Sequence, residues 1–471
     1  MFRLPGVHSV ERQIERTERK HPPMADSSTT LAFPLLSRKP VELDFSGGDL
    51  SSDGGLLLLA QLDRQVGLTE RVAACIHDAR LPERVQHSLL ELIRQRVYQI
   101  AAGYEDGNDA DRLRRDPALK VAVGRAPKSG ADLASQPTLS RLESSVAEVE
   151  CEAINAVLLE QFLACPRKTP REVVLDFDTS EDPTHGQQEF AFFNAHYGSY
   201  CFLPLFAFAR VCGESEEHLV SAELPDTHQR DTDALLATLA RLVDAVRQRW
   251  PGVKVVFRAD AGFAVPEIYD WCEEHYVGYA IGLPSNAVLQ ELSQKWRERA
   301  QKAAASSPTR SARVFGSFWY QAKGWKRLRR VVVKAEETGL GPNPRFVLVD
   351  GLSGAPRQQY QFYGRRGGCE NRIKEMKQAI KTDRTSCCEF ASNKVRLMLH
   401  SVAYVLFQRL RRAARNTGCS RAQVESLRLA LVKIAALVRE SSRRVRVALA
   451  SACPTQELFR KLCRRLGVVS R

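Results

Sequence analysis

Val173-Val174-Leu175-Asp176-Phe177-Asp178-Thr179 is an apolar run broken by two aspartates, and its reading decides the fold. A short run of this kind suits a strand inside a sheet, where side chains alternate between faces with a period of two. That period puts Asp176 and Asp178 on one face. An ionised carboxylate in a low-dielectric core is costly unless a cation or metal pairs with it. The run therefore predicts either a partnered acid or a strand end in water. A second run, Val255-Val256-Phe257-Arg258-Ala259-Asp260-Ala261-Gly262-Phe263, again ends on an acid, and Gly262 lets the chain turn just after it. The carboxyl ends of strands are where ligands bind in α/β sheets.

Short β-rich runs surround these two: Glu172 to Asp178, Tyr197 to Cys212, Leu219 to Leu224, Val253 to Asp260 and Val277 to Leu283. Helical stretches at Asp231 to Trp250 and Pro266 to His275 alternate with them, so the middle of the chain reads as a mixed α/β sheet domain over 169–390. Within it, a helix at Asn286 to Ala305 and β-like runs at Arg313 to Gln321, Arg327 to Ala335 and Arg345 to Val349 read as a β-rich insertion at about 287–355. Upstream, Leu56 to Ile76 and Arg84 to Tyr104 are helical in pattern, with Leu89, Leu90, Leu92, Ile93, Val97 and Ile100 at helical intervals. Asp109 to Gly124 and Ser135 to Arg141 continue a helical domain over 41–168. The last of these begins like a capped helix whose free N–H groups could meet a phosphate, although an ordinary N-cap is the plainer reading. Residues 1–40 mix charge, Pro and Ser and read as a flexible tail, with Met24 an alternative start. Helices return at Gly368, and 391–471 reads as a basic helical region with one strand at Arg443 to Ala450.

The chain has 471 residues, 44% of them hydrophobic, enough for two or three ordinary cores. Lysine and arginine number 69 against 55 aspartates and glutamates, a formal charge of +14 that would attract a polyanion through released counterions. A merely basic soluble enzyme is the plainer account of charge alone. Twelve cysteines lack finger spacing, and the adjacent Cys387 and Cys388 are poorly placed to chelate, so they read as reduced thiols. No apolar run approaches a membrane span, and Met1 to His21 lacks the apolar core of a signal peptide. A cytoplasmic protein follows.

A third acid lies far downstream, on a helix. Glu370 and Lys377 are two turns apart on one helical face, with Arg366 one turn before Glu370 and Tyr363 one turn before that. On a solvated helix such spacing would mean nothing. Chemistry gives it meaning, because two divalent ions about 3.5–4 Å apart can activate the attacking oxygen and stabilise the leaving oxygen of a phosphoryl transfer. Hard Mg²⁺ wants carboxylate ligands plus water. Arg366 and Lys377 would then bind flanking phosphate oxygens and offset the acids.

Taken together, Asp-Phe-Asp-Thr, Arg-Ala-Asp-Ala-Gly-Phe and Tyr363-x2-Arg366-x3-Glu370-x6-Lys377 resemble the DDE transposases of insertion-sequence-four type. Leu175-Asp-Phe-Asp with Asp182-Pro-Thr-His185-Gly, and Glu370-Asn-Arg-Ile-Lys-Glu375, resemble the thirteen-eighty group of bacterial insertion sequences within that superfamily. The likeness runs from about residue 40 to the C-terminus. It implies a ribonuclease-H-like catalytic core with the β-rich insertion between the second and third acids, preceded by a helical DNA-binding domain and followed by a helical C-terminal region. Asp178, Asp260 and Glu370 would be the catalytic metal ligands, for two Mg²⁺ ions that Mn²⁺ can replace. Asp178 is preferred because the acid in related transposases lies beside a small hydroxyl residue, here Thr179, and Asp176 stays as the alternate. Glu375 lacks the Tyr, Arg, Lys spacing. Tyr363, Arg366, Lys374, Lys377 and Trp319 would touch phosphate or DNA. The implied partners are double-stranded DNA, as terminal inverted repeats and target, and a second copy of the chain in a nucleoid-associated homodimer. A hydrolysed strand would leave a 3′-OH that attacks a second phosphodiester, with no covalent enzyme intermediate.

Lesser signals weigh less. Trp319 and Trp325 sit among Lys323, Lys326, Arg327, Arg329 and Arg330, a setting that suits stacking on an unpaired base, although core packing is the favoured reading. His185 and His196 suit structural hydrogen bonds better than Mg²⁺, and Asp182 falls between the readings. The pairs Arg411-Arg412, Arg443-Arg444 and Arg464-Arg465 are mostly solvated faces, some of which should touch phosphate. Two other functions fit the same acids: a nuclease without strand transfer, and a transposase-derived DNA-binding protein that has lost its chemistry.

Overall fold

In the computed structural model, the described residues are 30–32, 39, 41–166, 168–184, 186–195, 197–226 and 231–469. The expected tail at 1–40, with Met24, lies almost wholly outside them, as do His185 and His196. The chain divides into two compact units, residues 1–50 and 51–471. In the first, two-residue strands β1 (Leu31–Ala32) and β2 (Glu42–Leu43) pair antiparallel. A third short strand, β3 (Leu50–Ser51), falls at the division.

The second unit opens with seven helices: α1 (Leu56–Val66), α2 (Leu68–Ala74), α3 (Leu89–Ala102), α4 (Asp109–Leu113), α5 (Pro117–Val123), α6 (Gln136–Glu143) and α7 (Glu148–Leu163). Local chemistry sets their ends. Ser88 and Glu91 form a reciprocal capping box at the start of α3, and Gly103 ends it in the left-handed region at φ 93°. The apolar stripe of α3, Leu92, Ile93, Val97 and Ile100, is buried. At the start of α6, the first free N–H, on Gln136, already reaches Asp111 Oδ1 at 3.0 Å.

Next come β4 (Glu172–Thr179), β5 (Asp182–Pro183), β6 (Phe192–Asn194), β7 (Ser199–Phe202), β8 (Leu205–Val211), β9 (His218–Glu223), α8 (Asp231–Arg249), β10 (Lys254–Ala259), α9 (Pro266–Glu274) and β11 (Gly278–Leu283). They are followed by α10 (Ala287–Leu292), α11 (Gln294–Ala305), β12 (Ala312–Tyr320), β13 (Arg329–Thr338), β14 (Gly341–Pro342) and β15 (Arg345–Asp350). The large strands form one mixed sheet in the order β12-β13-β15-β11-β10-β4-β8-β9, with β14 on β13. Only β4, β10 and β11 run parallel. The alternation read from the sequence now has a physical content: Val173, Leu175, Phe177, Val255, Phe257 and Ala259 point into a core shared with α7, α8, α9 and α11. Asp176 and Asp178 take the opposite face. The β-rich segment at 287–355 builds no sheet of its own. Its strand β15 pairs with β11, and β13 and β12 extend the sheet from there, because β13 and β15 are apolar enough to be buried on both faces.

The chain then forms α12 (Pro356–Gly364), α13 (Gly367–Glu375), α14 (Phe390–Ala413), α15 (Val424–Leu427), β16 (Ala436–Ser441), β17 (Arg444–Leu449) and α16 (Gln456–Arg465). Helix α14 is buried all round in its middle, from Leu397 to Phe407, where the chain is mostly apolar. It shares one core with α1 to α7, so the helices between Leu56 and Leu163 and those from Phe390 onward are packed together despite their separation in sequence. The chain ends of this unit also meet: Gly54 and Gly55 donate to the carbonyls of Ile434 and Val432, and a Cβ on Gly55 would lie 1.9 Å from the carbonyl oxygen of Leu431. The strand expected at Arg443 to Ala450 is β17, and its partner β16 carried no signal that set it apart from a helix. Among the described residues no helix is long and apolar enough to cross a membrane.

Candidate active site

Strands β4 and β10 are parallel and in register from Lys254 opposite Glu172 to Arg258 opposite Asp176. Two residues further along come Asp178 and Asp260, which therefore stand side by side at the carboxyl ends of neighbouring strands. Asp260 caps the short turn that follows, its Oδ1 accepting the Gly262 N–H at 2.8 Å. The third acid arrives on α13, and Arg366 stands at that helix's N-cap. Its guanidinium joins the group: Nη1 is 3.1 Å from Asp178 Oδ2, and Nη2 is 2.5 Å from Glu370 Oε1. Burial pushes the Asp178 carboxyl up to about 7, Arg366 opposes that rise, and the charges of Asp260 and Glu370 add to it. Asp178, Asp260 and Glu370 thus share one electrostatic neighbourhood with Arg366.

Tyr363 lies in the same neighbourhood. Burial raises its hydroxyl, Arg366 opposes the rise, and Asp260 and Glu370 add to it. Its approach depends on Gly282 of β11, where a Cβ would lie 2.6 Å from the Tyr363 hydroxyl and 2.9 Å from the Ala261 nitrogen. Sequence reading passed over Gly282, although a glycine inside an apolar strand signals close approach. It also passed over Tyr197, whose hydroxyl is raised by burial and by the charges of Asp178, Glu181 and Asp260. No spacing in the sequence tied that residue to the acids.

The two aspartates of β4 separate cleanly. Asp176 is wholly buried, and Arg258 meets both its oxygens, Nη2 to Oδ2 at 2.7 Å and Nε to Oδ1. The remaining nitrogen of Arg258 donates to the Phe362 carbonyl at 2.5 Å, and its guanidinium lies 5.0 Å from the Phe362 ring centroid. Asp176 is therefore part of a strut that ties β4 and β10 to α12, the helix carrying Tyr363. Glu375 is likewise consumed in the interior, accepting from Arg411 at 2.6 Å, Arg372 at 2.8 Å, Tyr404 at 2.9 Å and the Val424 N–H at 2.7 Å.

The other candidates have partners or settings of their own. The α-helix gives way to a π-helical turn at Met376–Ile380, and Lys377 donates to the Glu181 carbonyl at 2.5 Å. Lys374 is exposed on α13. Asp182 is buried, receives the Thr385 hydroxyl at 2.5 Å and is pushed up to about 7 by burial. The core-packing expectation holds for Trp325, which meets the rings of Tyr269 and Tyr320 at 5.3 Å each. It fails for Trp319, which is 64% exposed on β12, beyond the reach of the α12 residue Tyr360 that meets Phe315 on the same side of the strand.

Among the described residues, the one set of three metal-type ligands lying within 4.8 Å of one another is Glu214, Glu216 and His218. Glu216 is 2.7 Å from Arg415 and 3.1 Å from Arg412, and Glu214 is 3.0 Å from Arg415. Two arginines already balance two carboxylates there, so this set does not suit a cation. All twelve cysteines are free thiols.

Two aspartates from parallel strands and a glutamate from a late helix are thus gathered at the carboxyl ends of β4 and β10. The chain matches the family model described as Transposase DDE domain group 1 over residues 33–470, and it belongs to that family. No curated protein matches the chain.

Proposed function

We propose that the protein is a DNA transposase of the thirteen-eighty group, cutting at the ends of an insertion sequence and joining the freed ends to target DNA. One observation carries the reading: the Arg366 guanidinium bonds Asp178 and Glu370 together, and the charges of Asp178, Glu370 and Asp260 all act on it. Three carboxylates against one guanidinium leave an excess of negative charge in a half-buried place, which fits hard divalent cations with oxygen ligands. Asp178, Asp260 and Glu370 would hold two Mg²⁺ or Mn²⁺ ions, which supply Lewis-acid activation and charge neutralisation for phosphoryl transfer when bound.

The chain's own residues do the positioning. Arg366 offers planar paired donors to a phosphate once the acids are otherwise balanced. Tyr363, held by Gly282 and by the strut from Arg258, places a hydroxyl at the same edge. Lys377 and Lys374 lie farther along the same helical segment, suited to the flanking phosphates, and exposed Trp319 suits an unstacked base. In this reading the sheet domain at 169–390 is a ribonuclease-H-like core, the helices at 41–168 read the element's ends, and 391–471 grips DNA. Duplex DNA and a second copy of the chain are the partners.

The test is a cleavage and joining assay on DNA carrying the element's own ends, with Mg²⁺ or Mn²⁺. Wild type should nick and then join, while Asp260→Asn should do neither and still bind the ends. Cutting by Asp260→Asn at the wild-type rate would refute the assignment. Cutting without joining by wild type would make the protein a nuclease.

A further inference from the structure

The hairpin β16–β17 is two-faced. Its register pairs Ala436 with Leu449, Val438 with Val447 and Glu440 with Val445 on one side. Ala436 and Val438 are buried, and Val447 and Leu449 are half-buried. The other side pairs Arg439 with Arg446 and Ser441 with Arg444, and Arg443 stands in the turn. These four arginines are exposed, and among the described residues none of their side chains enters an ion pair or hydrogen bond. The turn itself is tight, with the Ser441 hydroxyl and the Arg444 backbone bonded in both directions at 3.0 and 3.3 Å.

Two features set this apart from an ordinary solvated face. Arg439 and Arg446 lie directly across the ladder from each other, and like charges so placed destabilise a hairpin. Protection of an edge strand against aggregation requires charge, but not charge of one sign placed opposite itself. Meanwhile the hairpin's only acid, Glu440, is turned away. Its carboxylate accepts the Lys128 and Ser129 N–H groups at 2.8 and 3.1 Å and the Ser129 hydroxyl, bonds that hold it below the usual carboxylate range and fasten the hairpin to the loop after α5. The outward side is left purely cationic on a fixed ribbon.

We infer that this hairpin is a duplex-DNA contact, gripping phosphates through Arg439, Arg444 and Arg446 with Arg443 at its tip. A two-stranded ribbon has the width to lie along a major groove, and released counterions supply the affinity. The inference rests on the reading of the protein as one that handles DNA, yet it concerns binding alone.

The experiment is duplex-DNA binding by fluorescence anisotropy across a salt series, using the full chain. Three arginines on phosphates should contribute about 0.9 each to the slope of log K against log salt. The triple change Arg439→Gln, Arg444→Gln, Arg446→Gln should therefore flatten that slope by about 2 to 3, weaken binding at least tenfold, and leave thermal stability equal or higher. The matching triple change to Lys should restore the slope. An unchanged slope and affinity in the Gln variant, or loss of binding to anionic vesicles with duplex binding intact, would overturn the inference. This assay reads binding and not cutting, so its outcome is separate from that of the active-site test. Absence of salt-dependent binding by wild type would fall on the transposase reading itself.

Discussion

Asp176 and Arg258 form a two-point ion pair across β4 and β10 in which both side chains are wholly buried. Two residues along the same strand, Asp178 shares its arginine with Glu370 at the sheet's open edge. One strand face thus carries an acid locked in a buried pair and, in the proposed function, a reactive one.

Removing one partner of a buried pair strands the other charge, which costs about 3–5 kcal/mol. Asp176→Ala should accordingly lose most of its stability in urea unfolding, and α12 should loosen with it. Asp178→Asn relieves a buried carboxylate, so it should unfold at equal or higher denaturant while losing cleavage. A stable but inactive Asp176→Ala protein would reverse the two roles.

Arg366 is the cation that three acids share. Arg366→Gln should lower cleavage by about 10²–10³, the scale of one lost electrostatic donor at a reacting centre. Its end-binding affinity should change far less, which anisotropy on uncut ends would measure.

Gly282 has no room for a side chain. Gly282→Val should push Tyr363 and the Ala261 turn away from the acids, costing about 1–3 kcal/mol of stability through overpacking and a larger share of the cleavage rate. Equal rates in wild type and variant would show that Tyr363 has no part in positioning.

The two tryptophans should part company. Trp325→Ala opens a core cavity and should cost about 3–5 kcal/mol, whereas Trp319→Ala on the exposed face should stay within about 0.5 kcal/mol of wild type. If Trp319 holds an unstacked base, its variant should lose joining without losing stability.

His400 is buried in α14 with Nδ1 donating to the Ile380 carbonyl at 2.7 Å, and burial depresses its pKa to about 3 from an ordinary 6.5. Below pH 6.5 the unfolded chain takes up a proton that the folded chain refuses. Stability should therefore be full above that value and fall as pH drops toward 3. His400→Gln should flatten this part of the pH profile of unfolding midpoints.

Much of the site was legible because it is written in local patterns. The period-two run at Val173 to Thr179 and the glycine-ended run at Val255 to Phe263 each disclose a strand with an acid at its end. These are properties of neighbouring residues, and backbone geometry alone sets which side chains share a face. The Tyr363, Arg366, Glu370 spacing suggests one helix, but the helix breaks at Arg365 and Arg366, so Tyr363 belongs to the last turn of α12 and Glu370 to α13.

What the sequence could not decide was which of two acids on that face meets which partner. Period two treats Asp176 and Asp178 alike, and only the register of β4 against β10 sets Arg258 opposite the first and leaves the second for Arg366. The same holds for Trp319, Gly282 and Lys377, whose surroundings are supplied by distant segments. Long-range pairing, settled by burial of apolar faces across the whole sheet, assigns partners that no local pattern contains.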